Sequence, residues 1–138
     1  MGFQALTANT TGTAITAVGT KAAQNNTANY TTAFGYRALE QNTSGTGNTA
    51  FGMEAGVTQT TAANNTVVGF QAGLSTTTGS NNTAVGRSAL ANNTTADNNT
   101  AVGHNALLEN TTGTGNTGLG YQALDANTTG SSNTALGC

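Results

Sequence analysis

The chain has 138 residues, a formal net charge of −2 and eight charged side chains. Thr (30), Ala (23), Gly (19) and Asn (19) fill 91 positions, whereas Leu, Ile, Val and Phe fill only 20. That is too little large apolar volume for a thick core, and too little charge and no proline for a typical disordered tail. Three Lys and Arg residues cannot neutralise enough phosphate to hold nucleic acid by counterion release.

Met1–Leu6 lacks the basic start and apolar run of a signal peptide. No apolar stretch reaches the roughly 18 residues of a membrane span, so membrane insertion is not expected. The single cysteine, Cys138, excludes an internal disulfide framework.

Along the chain a glycine recurs at Gly2, Gly19, Gly35, Gly52, Gly69, Gly86, Gly103, Gly120 and Gly137, spaced by 17, then 16, then 17 six times. With this glycine as position 5, the repeat reads Asn-Thr-Ala-Val-Gly-x-x-Ala-Leu-x-x-Asn-Thr-Thr-Gly-Ser-x. Each glycine from Gly19 onward follows a short run of the form Thr-Ala-Val, first at Thr16–Val18 and last at Thr134–Leu136. Such a run closed by glycine predicts a short strand and a corner. The Asn-Thr-Thr-Gly stretch that follows is turn chemistry. One residue is missing after Thr27, near Ala28, which predicts a loop there.

Gly, Asn and Thr disfavour helix. A unit with one short strand cannot bury its own apolar face, but stacked units can. The expected fold is therefore all-β: one parallel β-solenoid domain over 1–138, of about eight coils roughly 4.8 Å apart.

The columns have expected causes. Position 4 is always large and apolar, Val85 and Val102 among them, and is expected to be the main thin-core residue. Position 8 is always Ala, as at Ala89 and Ala106, where opposing backbone leaves no more room. Position 5, as at Gly86 and Gly103, allows a positive-φ corner. Position 1 (Asn82, Asn99, Asn116) and position 2 (Thr49, Thr66, Thr83, Thr100) are expected to form hydrogen-bonded ladders between coils. Position 2 shares strand parity with position 4 and is therefore expected to face inward. Position 6 is mixed and includes Tyr36, Arg87, His104 and Tyr121. It is read as a surface or chain–chain contact.

The string Asn82-Thr-Ala-Val-Gly-Arg-Ser-Ala-Leu90, followed by Asn93-Thr-Thr95, resembles repeats in phage and bacterial tail-fibre-type proteins. The Thr-Ala-Val-Gly-x-x-Ala core is also similar to the head repeats of trimeric autotransporter adhesins. The resemblance covers nearly the whole chain and implies a parallel β-roll, three chains side by side, on a virion tail fibre or a cell surface. It implies host-surface glycan or receptor as partner. The chain departs from the adhesin heads in its longer period, and it has no recognisable trimerising coiled coil or chaperone domain. Met1 and Cys138 both fall inside a repeat, at positions 4 and 6. An excerpt of a longer fibre, or a unit that stacks end to end, is expected.

Catalytic material is scarce, and no enzyme, cofactor or metal is expected. His104 is the only histidine. Glu40 and Asp125 share position 10 but stand five coils apart, too far to act as a pair. Solubility is the expected role of the acids. Gly113–Gly118 matches a dinucleotide-binding glycine pattern, but no helix is expected after it. Calcium-binding solenoids need an aspartate in every turn, and only Asp97 occurs in these. The Asn-x-Thr triplets, as at Asn9 and Asn110, follow from the repeat itself. The alternative to a fibre is an ice-binding solenoid using ranks of Thr, with Thr11-Gly-Thr13, Ser44-Gly-Thr46, Thr78-Gly-Ser80, Thr112-Gly-Thr114 and Thr129-Gly-Ser131 as the candidate rank.

Overall fold

The computed structural model describes residues 2–137. The readings placed on Met1 and Cys138 lie outside the described residues. Eight three-residue strands are present: β1 Thr16–Val18, β2 Thr32–Phe34, β3 Thr49–Phe51, β4 Thr66–Val68, β5 Thr83–Val85, β6 Thr100–Val102, β7 Thr117–Leu119 and β8 Thr134–Leu136. They form one parallel sheet in sequence order. Each column pairs with itself, as in Thr49↔Thr66 and Val85↔Val102. The expected β-solenoid is thus the fold. The missing residue near Ala28 falls in an irregular stretch, as expected.

The rest of each coil is turn, and its bonds explain why no helix forms. In the coil 99–115, Ala106 N donates to Gly103 O, Leu108 N to Asn105 O and Asn110 N to Leu107 O. Asn105 and Leu107 take φ of 58° and 52°. Three consecutive β-turns, the first two with a left-handed third residue, replace helical winding. A left-handed leucine costs about 1–2 kcal/mol, and burial of its side chain offsets this by about 1.5–3 kcal/mol.

The inward row of the sheet is position 3, not position 4. Ala33, Ala50, Ala84 and Ala101 are fully buried, and they pack with the position 8 alanines and with Leu39, Leu90 and Leu107. Val85 and Val102 point outward and are only half-buried. The expectation that position 4 forms the core is therefore corrected. Strand parity puts positions 2 and 4 on one side as expected, but that side is the outside. Thr49 and Thr66 are accordingly exposed, and Thr83 and Thr100 half-exposed. The physical reason is room. A Cβ on Gly118, in the position 3 column, would already lie 2.9 Å from the Ala123 carbonyl oxygen. Alanine or glycine fits between strand and turns, and the larger Val67 fits only where position 9 is Gly73.

The alanines at position 8 behave as expected, with Ala89 and Ala106 fully buried. The glycine corner does too. Gly86 and Gly103 have φ of 136° and 135°, and a Cβ on either would collide with the backbone of the glycine in the next coil.

Candidate functional site

Two asparagine columns hold the turns together from inside. At position 1, the backbone amides of Asn82, Asn99 and Asn116 donate to Oδ1 of Asn65, Asn82 and Asn99, at 2.8–2.9 Å. Two of these side chains also reach forward, Asn82 Nδ2 donating to Ala96 O and Asn116 Nδ2 to Gly130 O, whereas the buried Asn99 Nδ2 has no partner among the described residues. At position 12, Asn127 Nδ2 donates to Asn110 Oδ1 at 2.9 Å. The threonine ladder lies at position 13 rather than position 2: Thr60, Thr77, Thr94 and Thr111 each donate Oγ1 to the position 13 carbonyl of the next coil. Thr49, Thr66, Thr83 and Thr100 pair through backbone only, and their hydroxyls are free of the ladder because they point outward.

These columns are scaffold. The surface they present includes the outer face of the sheet, where two rows run along the solenoid, and a third row in the turn just past the glycine corner. The first row is the outward Thr of position 2. The second is position 4, in which Phe34, Phe51, Leu119 and Leu136 are exposed and Phe34 stacks on Phe51 with ring centroids 4.6 Å apart. The third is position 6, where Tyr36, Met53, Phe70 and Tyr121 are exposed. No charged residue occupies positions 2 to 4 in any coil, and Arg87 is the only Lys, Arg, Asp or Glu at position 6.

Arg87, His104 and Tyr121 come together as their register implies. Arg87 Nη1 lies 2.9 Å from His104 Nε2, and the Arg87 guanidinium sits 5.8 Å from the Phe70 ring centroid. The His104 and Tyr121 rings stack at 5.3 Å. Tyr36 lies in the same row but far along the axis, so it is not part of this cluster.

A second arrangement was missed from sequence. Glu40 is buried and pairs with both Arg37 and Lys21, while Arg37 also reaches Glu54 at 3.0 Å and Gln71 Nε2 donates to Glu54 at 2.9 Å. The hydrogen bond to Glu40, together with the charges of Glu40 and Glu54, holds the Arg37 guanidinium above its ordinary range despite some desolvation. Solubility is thus not the whole role of these acids. The signal was available, since Lys21, Arg37, Glu54 and Gln71 are successive members of position 7.

The Thr-Gly-Thr rank proposed for ice lies in turn backbone, not in a strand, and its Gly45 and Gly113 are buried. Gly113–Gly118 runs into β7, whose first two residues are Thr117 and Gly118, so the glycine pattern has no helix to hold a phosphate. Among the described residues there is no group of three or more His, Cys, Asp or Glu side chains placed to hold a metal ion, and no helix is long and apolar enough to cross a membrane. Comparison with protein-family models, curated proteins and solved structures gave no match.

Proposed function

We propose that the chain is a structural, adhesive fibre segment that associates with copies of itself, as a homotrimer, through the outer face of its sheet. On a virion tail fibre or cell surface it would space or present a receptor-binding tip. The observation that carries this reading is the row of Phe34, Phe51 and Leu119 standing open on the uncharged outer sheet face, with Tyr36, Met53, Phe70 and Tyr121 exposed in the turn row beside it, where Arg87 is the one charge. A contiguous apolar face of this kind marks a contact surface. Parallel strands normally have both faces covered, and this sheet has only one covered by its own chain. Tyr36 and Tyr121 also offer stacking faces, and Arg87 hydrogen-bond donors, for a glycan at the side of the shaft. Light scattering of the purified chain tests the assembly: three chain masses are expected, and a monomer would remove the trimer. Phe51→Glu and Val85→Glu, each placing a charge on the face, are expected to shift the mass to one chain while the β circular-dichroism signal persists.

A second reading is favoured by one specific observation. Thr49, Thr66, Thr83 and Thr100 form an outward rank with one threonine per strand. A monomer with such a rank suits ice binding. Exposed Phe34 and Phe51 stand taller beside it and make the face uneven, which favours the fibre. Thermal hysteresis by a monomeric chain would reverse that preference.

A further inference from the structure

The coils are not equivalent, and several departures from the repeat gather in two adjacent coils. Position 12 is Asn in the coils on either side, at Asn42 and Asn93, but it is Gln59 and Thr76 in between. Position 9, a leucine in most coils, is Gly56 and Gly73 in the same two coils. The longer Gln59 side chain occupies the room left by the missing leucine: a Cβ on Gly56 would stand 2.9 Å from Gln59 Nε2. There Gln59 is fully buried, yet neither its Nε2 nor its Oε1 has a hydrogen-bond partner. Asn42 Oδ1, which in a regular coil would accept from the next position 12 amide, is unpartnered as well.

The backbone thins at the same spot. In most other coils the amide at position 11 bonds the carbonyl at position 10 of the next coil, as in Gln41 N to Val57 O, Ser75 N to Ala91 O and Asn92 N to Leu108 O. Between the described residues Thr58 and Leu74 this rung is absent, and the Thr58 hydroxyl donates to Leu74 O in its place at 2.6 Å. The turn bonds from the amides of Val57 and Leu74 to the carbonyls of Glu54 and Gln71 are absent too, although their counterparts at Ala91 and Leu108 are made. Neighbouring rungs hold: Gly56 N to Ala72 O at 2.9 Å, Thr60 N to Thr77 O at 3.1 Å, and the whole β3–β4 pairing.

We propose that the solenoid carries a built-in soft joint between the coils 48–64 and 65–81. It opens first between the turn segments 57–59 and 74–76, with the sheet side acting as the uninterrupted spine. The reasoning is local. Unpartnered buried polar groups lower the cost of opening, because water satisfies them once the coils part. Gly56 and Gly73 give the backbone freedom that a buried leucine elsewhere denies. Sub-global opening starts where such bonds are fewest. In a shaft this is where bending would concentrate. The inference does not depend on the proposed assembly, because the joint lies on the turn side and not on the outer sheet face.

Native-state hydrogen exchange, resolved by residue on the full chain and corrected for intrinsic rates, tests it. Gly56, Gln59 and Thr60 are compared with Leu90, Asn93 and Thr94, which hold the same repeat positions in a regular, equally interior coil. Protection at the first three is expected to be at least about tenfold lower, a difference of about 1.4 kcal/mol in opening. Equal protection would overturn the proposal. The double substitution Gly56→Leu with Gln59→Asn restores the regular coil and should raise protection of Thr60 and Thr77 toward that of Thr94. Should the double variant fold poorly, Gln59→Asn alone offers Asn42 Oδ1 a donor and is read in the same way. Unchanged protection in a folded repaired chain also overturns the joint.

Discussion

Val67 fills the space that a side chain on Gly73 would need: a Cβ built on Gly73 would stand 2.8 Å from Val67 Cγ1. Positions 3 and 9 of a coil thus share one volume. Three coils fill it as Ala plus Leu (Ala33 with Leu39, Ala84 with Leu90 and Ala101 with Leu107), whereas this coil fills it as Val plus Gly. Gly73→Leu alone should overpack and cost about 1–3 kcal/mol. Val67→Ala alone should leave a cavity and cost about 2 kcal/mol. The double variant recreates the arrangement of its neighbour and should be more stable than the sum of the two by about 1–3 kcal/mol. Urea unfolding of the four chains closes the cycle, and additive effects would mean that the two side chains do not share the space.

Gly103 and Gly115 both have positive φ, 135° and 66°, but for different reasons. A Cβ on Gly103 would run into the Gly120 backbone, while Gly115 has only Ser132 near, at 3.7 Å and beyond. The coils at Asn64, Asn81 and Asn98 already place asparagine where Gly115 stands, with φ of 58–61°. Gly103→Ala should therefore cost more than about 2 kcal/mol, combining strain with a coil-to-coil clash. Gly115→Asn should stay within about 0.5 kcal/mol of the parent. Comparable melting shifts for both would contradict the close approach of the glycine corners.

Asn99 tests the inner ladder. Its Oδ1 accepts from the Asn116 amide at 2.9 Å, and both residues are buried. Asn99→Ala removes the acceptor and leaves that amide unsatisfied, at a cost of about 1–3 kcal/mol. Exposed Asn98, one residue earlier, makes no side-chain hydrogen bond to another described residue, so Asn98→Gly should be near neutral, its φ of 61° being open to glycine. A denaturation midpoint for Asn99→Ala equal to that of Asn98→Gly would remove the ladder as a source of stability.

Much of this fold was legible because a repeat prints its constraints in columns. The invariant glycine from Gly19 to Gly120 announced the corner, and the invariant alanine from Ala38 to Ala106 announced close backbone. Facing was harder. In a run as short as Thr100–Val102 the large residue is the natural choice for the core, and nothing in three residues says which side the coil closes on. The left-handed turns at Asn105 and Leu107 push the backbone of positions 8 and 9 toward the strand, leaving room for Ala101 and not for Val102. Glu40 reads as a solubilising acid in the sequence because its partners stand at a different repeat position: Arg37 meets it three residues away across the turn of the same coil, and Lys21 only once the coils stack. The Gln59 joint was legible only as a broken column, and its meaning came from hydrogen bonds that fail to form.

The facing of the strand has a direct test in two adjacent residues. Ala101 is fully buried and Val102 half-buried on the opposite side. Ala101→Leu adds three carbons to a space closed by turn backbone and should cost about 1–3 kcal/mol. Val102→Thr keeps the β-branched shape on an outward site and should cost less than about 1 kcal/mol in the isolated chain. The same substitution places a hydroxyl in the middle of the proposed contact face, so it should weaken assembly more than it weakens the fold. The two effects separate by concentration. A loss of assembly moves the melting temperature with protein concentration, while a loss of packing does not. Ala101→Leu should therefore lower the melting temperature at every concentration, and Val102→Thr mainly in dilute solution. Were Val102→Thr the more damaging of the two at all concentrations, position 4 would be the core after all.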